Sequence, residues 1–297
     1  IPQHLLSAAS GVAAVESEPL ERLKLAGTPP ALTTNTTAMR EYVQGLLADY
    51  AMSATHLNDY LTCPRLFLYQ DILRVPRATT RAVGFGVAVH NVLKQASERK
   101  LTLPQVLKLF KTELERQLLS KRDFTDSLAF GELTLRAYYP KHREFLQRNR
   151  FPEKDFRPYH VRVQDVPIVG KIDAIHILDD QKKLVHVVDY KTGNPDNKSS
   201  DLAKGGNYHR QLVFYKLLCD HARAFGYTAV SGEIHFIQRS KKKADFASRS
   251  YEFTEEDVAT VTTELTTVYQ HIQALDFLNP KPEELCGECQ WCVLCTT

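Results

Sequence analysis

Methionine and tryptophan are nearly missing from this chain of 297 residues, at two and one, and cysteine is held to six. Long apolar runs are missing as well. None approaches the roughly 20 residues that a bilayer-spanning helix needs, so no stretch reads as a membrane span. Strong charge of one sign is also lacking. Lys and Arg number 38 against 35 Asp and Glu, a net charge of +3, so total charge does not announce a polyanionic partner. The opening "IPQHLLSAASG" lacks the basic-then-apolar layout of a secretory signal. Six cysteines without an export signal argue for thiol or metal chemistry in a reducing cytoplasm and against a disulfide framework.

What remains is an ordinary globular composition, 43% hydrophobic and 25% charged, in a chain long enough for a sizeable core. Beginning at Ile1, it reads as a segment of something longer. Two local basic stretches stand out, "RSKKK" at 239–243 and a Lys/Arg scatter through 94–122. The ordinary reading of each is a solvated face or loop tip.

Residues 1–52 differ in texture from the rest. "AGTPPALTTNTTA" reads as linker, flanked by the short helical patterns "PLERLKLA" and "MREYVQGLLADY". A domain is expected from residue 53 to 297. It opens with Ser53 as N-cap of a helix carrying Leu57, Tyr60 and Leu61 on its apolar face, and Pro64 restarts the helix after Cys63. A second helix is opened by Gly84 and Gly86, and two more are expected near 103–119 and 128–149. The period then switches to that of strands in "YHVRVQD", "PIVGKIDAIHIL" and "KLVHVVDYK". A helix at "NYHRQLVFYKLLCDHARAF", strands at "AVSGEIHFIQ" and "SRSYEF", and a helix over 255–278 complete the pattern. One α/β domain follows, a small mixed sheet flanked by helices.

Candidate chemistry gathers at two strand ends. "GKIDAI" places Asp173 near the end of one strand, and "VVDYKTG" places Asp189 and Lys191 at the end of the next. Side chains two apart on a strand share a face, so Asp189 and Lys191 project together. If the strands pair as a hairpin, Asp173 joins them. Two carboxylates and a lysine at one sheet edge suit a hard divalent ion such as Mg²⁺ or Mn²⁺, with the Tyr190 carbonyl as a further oxygen ligand. The lysine would then act on a water or on charge developing at a phosphate. An isolated Asp-x-Lys is most often a surface pair. Here Val187 and Val188 keep the strand apolar up to Asp189, "GKID" precedes it by one hairpin's length, and a helix follows with Gln211 and Tyr215 on one face. Those two suit phosphate or substrate contacts, or simply an amphipathic helix. His90, in "GFGVAVHNVL", is a structural histidine or a metal ligand. The small residues around it would let its helix approach a site closely.

With "GVAVHNVL", "GKIDAI", "VDYKTG" and "QLVFY" in this order, the chain resembles the PD-(D/E)XK nuclease superfamily over about residues 53–295. Within it the motifs are most similar to RecB/AddB-type nuclease domains, often fused behind UvrD-like helicases. The resemblance implies a restriction-endonuclease-like core and a Mg²⁺- or Mn²⁺-dependent deoxyribonuclease, acting as an exonuclease in DNA repair or recombination. DNA and a helicase domain or subunit would be its partners, with no membrane. It implies His90, Asp173, Asp189 and Lys191 as the phosphodiesterase site, the Tyr190 carbonyl on the metal, and Gln211 and Tyr215 as the following helix's motif. Relatives often carry an acidic residue before the GKID strand. "EKDFRPYH" offers Glu153 or Asp155, and the sequence does not choose between them. Residues 1–52 would be a linker or remnant of a preceding helicase-like region. A free-standing CRISPR spacer-acquisition-type nuclease and a DNA-binding module without catalysis are the rival readings.

The tail "CGECQWCVLC" holds four cysteines at every third position, 286, 289, 292 and 295. By spacing alone they suit zinc or an iron–sulfur cluster. The resemblance implies a different partition, a [4Fe–4S] cluster on Cys63 of "CPRLF" with Cys286, Cys289 and Cys295, leaving Cys292 spare. A local set of the four tail cysteines stays open. The long-range set would staple the two ends of the domain together. Cys219, on an apolar helical face, is expected to be a buried small hydrophobe.

Overall fold

The computed structural model describes residues 37–76, 78–289 and 291. Six helical pieces come first: α1 (Thr37–Leu46), α2 (Ala54–Thr62), α3 (Pro64–Phe67), α4 (Arg81–Glu98), α5 (Leu103–Glu115) and α6 (Lys121–Gln147). Four two-residue strands follow, β1 (Lys154–Asp155), β2 (Arg162–Val163), β3 (Val166–Pro167) and β4 (Lys171–Ile172). The main sheet is built from β5 (Ala174–Asp179), β6 (Leu184–Lys191), β7 (Thr228–Arg239) and β8 (Phe246–Glu252). Helix α7 (Asn207–His221) lies between β6 and β7, and α8 (Glu255–Ala274) follows β8.

The sheet order is β5-β6-β7-β8. β5 and β6 form the antiparallel hairpin that the motif spacing requires, with Ala174 opposite Val188. β6 and β7 run parallel, with Asp189 opposite Ile234, and the parallel step is made by α7 crossing over the sheet. β8 pairs antiparallel on the outer side of β7. A small mixed sheet flanked by helices is therefore the architecture.

Alternation along β6 divides the core in two. Val185 and Val187 join Leu212 of α7 and Ile234 of β7 in one cluster, which also takes in α2, α3 and α8. Val188 and Tyr190 point the other way, into a second cluster with Val89, Phe110 and Leu135 from α4, α5 and α6. Val185, Val187, Val188 and Tyr190 are all buried, so β6 is covered on both faces as far as Asp189 and Tyr190. Close approach at one helix crossing requires a missing side chain. A Cβ on Gly131 of α6 would overlap the fully buried Phe110 ring of α5.

Several element boundaries differ from the sequence reading. Ser53 caps α2 as expected, accepting a hydrogen bond from the His56 amide, and Pro64 begins α3 after an extended Cys63. Leu61, expected on the apolar face, is 43% exposed. Gly84 and Gly86 lie inside α4, whose N-cap is Thr80. The helix expected over 128–149 starts at Lys121, because Ser120 caps it there, and Pro140 is accommodated within it. That expected over 103–119 stops at Glu115. The one expected over 255–278 stops at Ala274, where Leu275 takes a left-handed conformation (φ 62°) before a single 3₁₀ turn, Asp276–Leu278. The pattern "MREYVQGLLADY" forms α1, and Val43 and Leu47 pack into the core. "PLERLKLA" lies outside the described residues.

Candidate active site

The β5–β6 hairpin brings Asp173 to the end of β6. Asp173 occupies the break between β4 and β5, and its Oδ2 accepts a hydrogen bond from the Tyr190 amide at 2.8 Å. Residues 149–155 run antiparallel beside this break, pairing Lys154 with Ile172 and Asp155 with Lys171. The Glu153 amide donates to the Asp173 carbonyl at 2.9 Å. Asn149 locks the same segment, its Oδ1 accepting from the amides of Phe151 (3.1 Å) and Ile175 (3.0 Å). Glu153 itself sits at φ 50°, the left-handed region, at a cost of about 1–2 kcal/mol for a residue with a Cβ. Strain of this kind persists where surrounding contacts over-determine it, and here they aim a carboxylate at the Asp173 side chain.

Helix α4 supplies the third member. His90 Nδ1 is 3.3 Å from Asp173 Oδ1 and 3.6 Å from Glu153 Oε1. One ligand atom from each of His90, Glu153 and Asp173 lies within 4.8 Å of the other two, an arrangement that could hold a metal ion. Glu153 also pairs with Lys171. Burial disfavours charge on the His90 ring, but the Asp173 carboxylate outweighs it, with help from Glu153 and Asp189, and raises its pKa to about 10. Burial likewise opposes ionisation of Glu153, yet His90 and Lys171 hold its carboxyl below the usual range. The His90 proton and Lys171 offset the two carboxylates here, and a metal cation could take the place of that proton.

Asp189, Lys191, Gln211 and Tyr215 form a closed ring beside it. Asp189 Oδ2 lies 2.8 Å from Lys191 Nζ. Lys191 donates to Gln211 Oε1 at 2.8 Å, Gln211 Nε2 donates to Tyr215 Oη at 2.8 Å, and Tyr215 donates to Asp189 Oδ1 at 3.0 Å. The odd-numbered face of β6 meets α7, and positions 211 and 215, one helical turn apart, reach the same strand end. The Lys191 ammonium also lies 4.6 Å from the centre of the Tyr208 ring. Burial pushes the Asp189 carboxyl up, and Asp173 adds to this against the pull of Lys191. Lys191 is held charged by Asp189 despite its own burial.

His90, Asp173, Asp189 and Lys191 thus meet at one sheet edge, with the Tyr190 amide bonded to Asp173. Gln211 and Tyr215, expected to face phosphate or substrate, instead face Asp189 and Lys191, and Tyr215 is buried. Of the two acidic candidates before the GKID strand, Glu153 reaches the cluster. Asp155 is turned to the surface, paired with Arg157 at 2.7 Å.

A second cluster joins the break between α2 and α3 to residues 286–289. Cys63 is fully buried in the extended break between α2 and α3. Its sulfur and those of Cys286 and Cys289 lie within 4.8 Å of one another. The Cys289 amide donates to Cys286 Sγ at 3.3 Å, folding the Cys-x-x-Cys turn on itself. Cys292 and Cys295 lie outside the described residues. Trp291, which the sequence reading passed over, stacks on Tyr69 at 5.0 Å between ring centres and 26° between planes. Tyr69 belongs to a single π-helical turn, Leu68–Ile72, directly after α3. The chain's single tryptophan beside the cysteine run was the available signal. Cys219 is buried in the first core cluster, and burial pushes its thiol up, the behaviour of a small hydrophobe. Among the described residues no helix is long and apolar enough to cross a membrane.

A family model of the PD-(D/E)XK nuclease superfamily matches residues 51–296. No curated protein matches the chain. Among solved structures, a Eubacterium rectale protein with a provisional exonuclease assignment superposes with a TM-score of 0.50. The identity is 14%, over 87% of this chain and 92% of that one. The structure of a protein named SSO0001 gives a TM-score of 0.39 at 13% identity, over 88% of this chain and 95% of that one.

Proposed function

Because the chain belongs to the PD-(D/E)XK nuclease superfamily, we propose that it hydrolyses DNA phosphodiester bonds with Mg²⁺ or Mn²⁺, as the RecB/AddB-type nuclease unit of a helicase–nuclease in DNA repair or recombination. Residues 53–297 would be the nuclease unit and 1–52 its connection to a helicase region. The observation that carries the reading is the convergence of His90, Glu153 and Asp173 beside the Asp189–Lys191 pair. The provisional exonuclease assignment of the Eubacterium rectale protein favours digestion from ends.

The donor set fits a hard divalent cation, with carboxylates from three separate segments around one edge and a buried Asp189 whose charge is otherwise disfavoured. His90, Glu153, Asp173, Asp189 and the Tyr190 carbonyl would hold it. When bound, such an ion supplies Lewis acidity, offsetting charge at the scissile phosphate and easing deprotonation of water. The chain's own residues do the rest. Lys191, held charged by Asp189 and oriented by Gln211, directs its ammonium at the attacking water or the scissile phosphate. Tyr215 positions the Asp189 carboxylate from behind and does not touch substrate. Water forms the new P–O bond and gives its proton to solvent as the P–O bond to the sugar breaks, and the leaving sugar oxygen takes up a proton from solvent.

The thiols fit an iron–sulfur cluster by the same standard. Cys63, Cys286 and Cys289 converge from positions over 220 residues apart, and Cys295 would be the fourth ligand, with Cys292 spare. The cluster would pin the chain's end to α2 and α3, a structural task remote from bond cleavage. Release of acid-soluble nucleotides from linear DNA with Mn²⁺ as the sole divalent cation tests the reading. No release from single- or double-stranded DNA by iron-loaded protein would contradict it.

A further inference from the structure

The basic run at 239–243 leads into the turn between β7 and β8, and one carboxylate holds that turn from beneath. Asp196, in the loop between β6 and α7, accepts from the buried Ser240 hydroxyl at 2.5 Å through Oδ1 and from the Lys241 amide at 2.8 Å through Oδ2. The Ser240 hydroxyl in turn accepts from the Lys243 amide at 3.0 Å, and the Ser240 amide donates to the Asp245 carbonyl at 2.8 Å. Ala244 closes the turn at φ 54°, and Lys141 anchors Asp245 at 2.6 Å. A solvated loop tip needs none of these contacts. They fix the backbone from which three exposed lysines, 241, 242 and 243, project.

A cavity of about 400 Å³ lies between this turn and the loop before α7, and its lining includes Asp196, Ser199, Phe236, Lys243 and Arg249. The acidic groups at hand are already engaged. Both Asp196 oxygens accept hydrogen bonds from the turn, and Asp201 pairs with Lys198 at 3.0 Å. Lys243 and Arg249 are exposed, and Arg249 lies over the Tyr251 ring at 5.5 Å. Their two charges are left to be met by an anion from outside.

The cavity opens on the same face of the sheet as Asp189 and Lys191. Ile234 stands opposite Asp189 on one side and opposite Arg249 on the other. Residues in such a row share a face, and two inter-strand spacings put Arg249 about 10 Å from Asp189 between Cα atoms. Lys191 is opposite Phe236, which lines the cavity. The Tyr208 ring joins them, 4.6 Å from the Lys191 ammonium and 6.2 Å from the Phe236 ring. Each DNA strand carries one phosphate per roughly 3.4 Å of rise, so a strand with one phosphate at Lys191 brings another to the cavity about three nucleotides away. Lys and Arg contacts to phosphate set register without reading sequence.

We propose that Lys243 and Arg249, on the turn that Asp196 holds, bind a backbone phosphate of the DNA about three nucleotides from the scissile one. The proposal rests on the nuclease reading above and adds the surface that sets the register of the strand. Lys243 and Arg249 are the binding residues, and Asp196 is a positioning residue.

The test uses the full chain with Ca²⁺ in place of Mg²⁺, and DNA oligonucleotides carrying one uncharged methylphosphonate linkage at a time. The wild type is expected to lose affinity at two linkages, one at Lys191 and one at the cavity, roughly three nucleotides apart. Lys243→Ala combined with Arg249→Ala removes the second loss alone. It also weakens binding alike for every sequence and lowers the slope of log affinity against log salt by about one. Lys241→Ala takes the same charge from the same turn outside the cavity lining, and keeps the second loss. Asp196→Ala weakens binding although it makes the protein more positive, because the turn is no longer held; stronger binding would overturn the role given to it. Both cations are exposed, so the double variant keeps the wild-type unfolding midpoint, and Lys243→Arg with Arg249→Lys restores the second loss. Inorganic phosphate leaves the wild-type midpoint unchanged. A midpoint that phosphate raises in the wild type and not in the double variant would make the cavity a site for a free anion and overturn the DNA contact. Methylphosphonate effects indifferent to Lys243 and Arg249, or altered equally by Lys241→Ala, overturn it even if DNA is cleaved. A second loss that depends on both residues in a protein that cleaves nothing supports the contact and overturns the catalytic reading alone.

Discussion

Tyr215 donates a hydrogen bond to Asp189 across 3.0 Å, from a helix that follows the strand by some 16 residues. With Gln211 it closes a ring through Lys191, so the sheet edge and the crossover helix present one preorganised acid–base pair. A buried tyrosine bonded to a carboxylate is a positioning device, and its pKa is raised well above the usual value by burial, with Asp189 adding to it. Tyr215→Phe should therefore lower kcat by about 10- to 100-fold with KM nearly unchanged, as loss of a supporting contact to a metal-site carboxylate does. Loss as complete as that of Lys191→Ala would show that Tyr215 acts on substrate.

Glu153 and Asp155 are two residues apart and point to opposite fates. Glu153→Gln should weaken Mn²⁺ binding, measured by calorimetry, by about tenfold or more, because a charged oxygen ligand is replaced by a neutral one. Asp155→Asn should leave it unchanged, since its carboxylate is engaged by Arg157 at the surface. Equal effects would contradict the placement of Glu153.

Iron content separates the cysteines. Cys63→Ser should abolish the broad absorption expected roughly near 400 nm for iron–thiolate clusters and lower solubility or DNA binding. Cys219→Ser should leave the absorption intact. A colourless, zinc-loaded wild type after anaerobic purification would contradict the cluster assignment.

Acid should destabilise the fold through half-buried His56 and buried His176, neither of which is a candidate metal ligand. Burial, with Arg74 adding to it, lowers His56 to about 4, and burial, with His186 adding, lowers His176 to about 4, from an ordinary 6.5. Above that ordinary value neither state binds these protons. Between about 6.5 and 4 the unfolded chain takes them up and the folded chain does not, so stability falls as pH falls through that window. Glu233, held below its usual range against burial by His186 and His235, adds a further loss in more acid solution. Urea unfolding at pH 7 and pH 5 should show the drop, and His176→Gln should reduce it. An unchanged drop in the variant would contradict the role given to His176.

Gly131 tests the packing of α5 against α6. Gly131→Ala places a methyl into the Phe110 ring, which is fully buried and has nowhere to move, and should cost about 1–3 kcal/mol in chemical unfolding. A neutral or stabilising result would mean the two helices sit farther apart.

The strands, the hairpin and the four motif residues were legible because strand alternation and helical spacing are short-range rules. Asp189 and Lys191 share a face by arithmetic, and Asp173 joins them once the hairpin forms. Glu153 was legible only as one of two candidates, with Asp155, and the choice between them was not. It lies beside strands of two residues, too short to carry a period, and reaches the site through a left-handed backbone that no residue preference signals. Gln211 and Tyr215 were found by spacing, but their direction was not, since only the packing of α7 on β6 turns them toward Asp189. The stacking of Trp291 on Tyr69 brings together residues far apart in the chain, and the lone tryptophan beside the cysteine run marked one partner without naming the other.

The central claim is metal-dependent hydrolysis at the Asp189–Lys191 edge. Its most direct measurement is nucleotide release from linear DNA with Mn²⁺, compared across wild type, Asp189→Ala and Lys191→Ala at matched iron content and DNA affinity. The account predicts release by the wild type alone, with each variant reduced by at least about a thousandfold, the scale expected when a principal electrostatic group is removed. Equal release in all three, or background in all three with DNA binding intact, would contradict it.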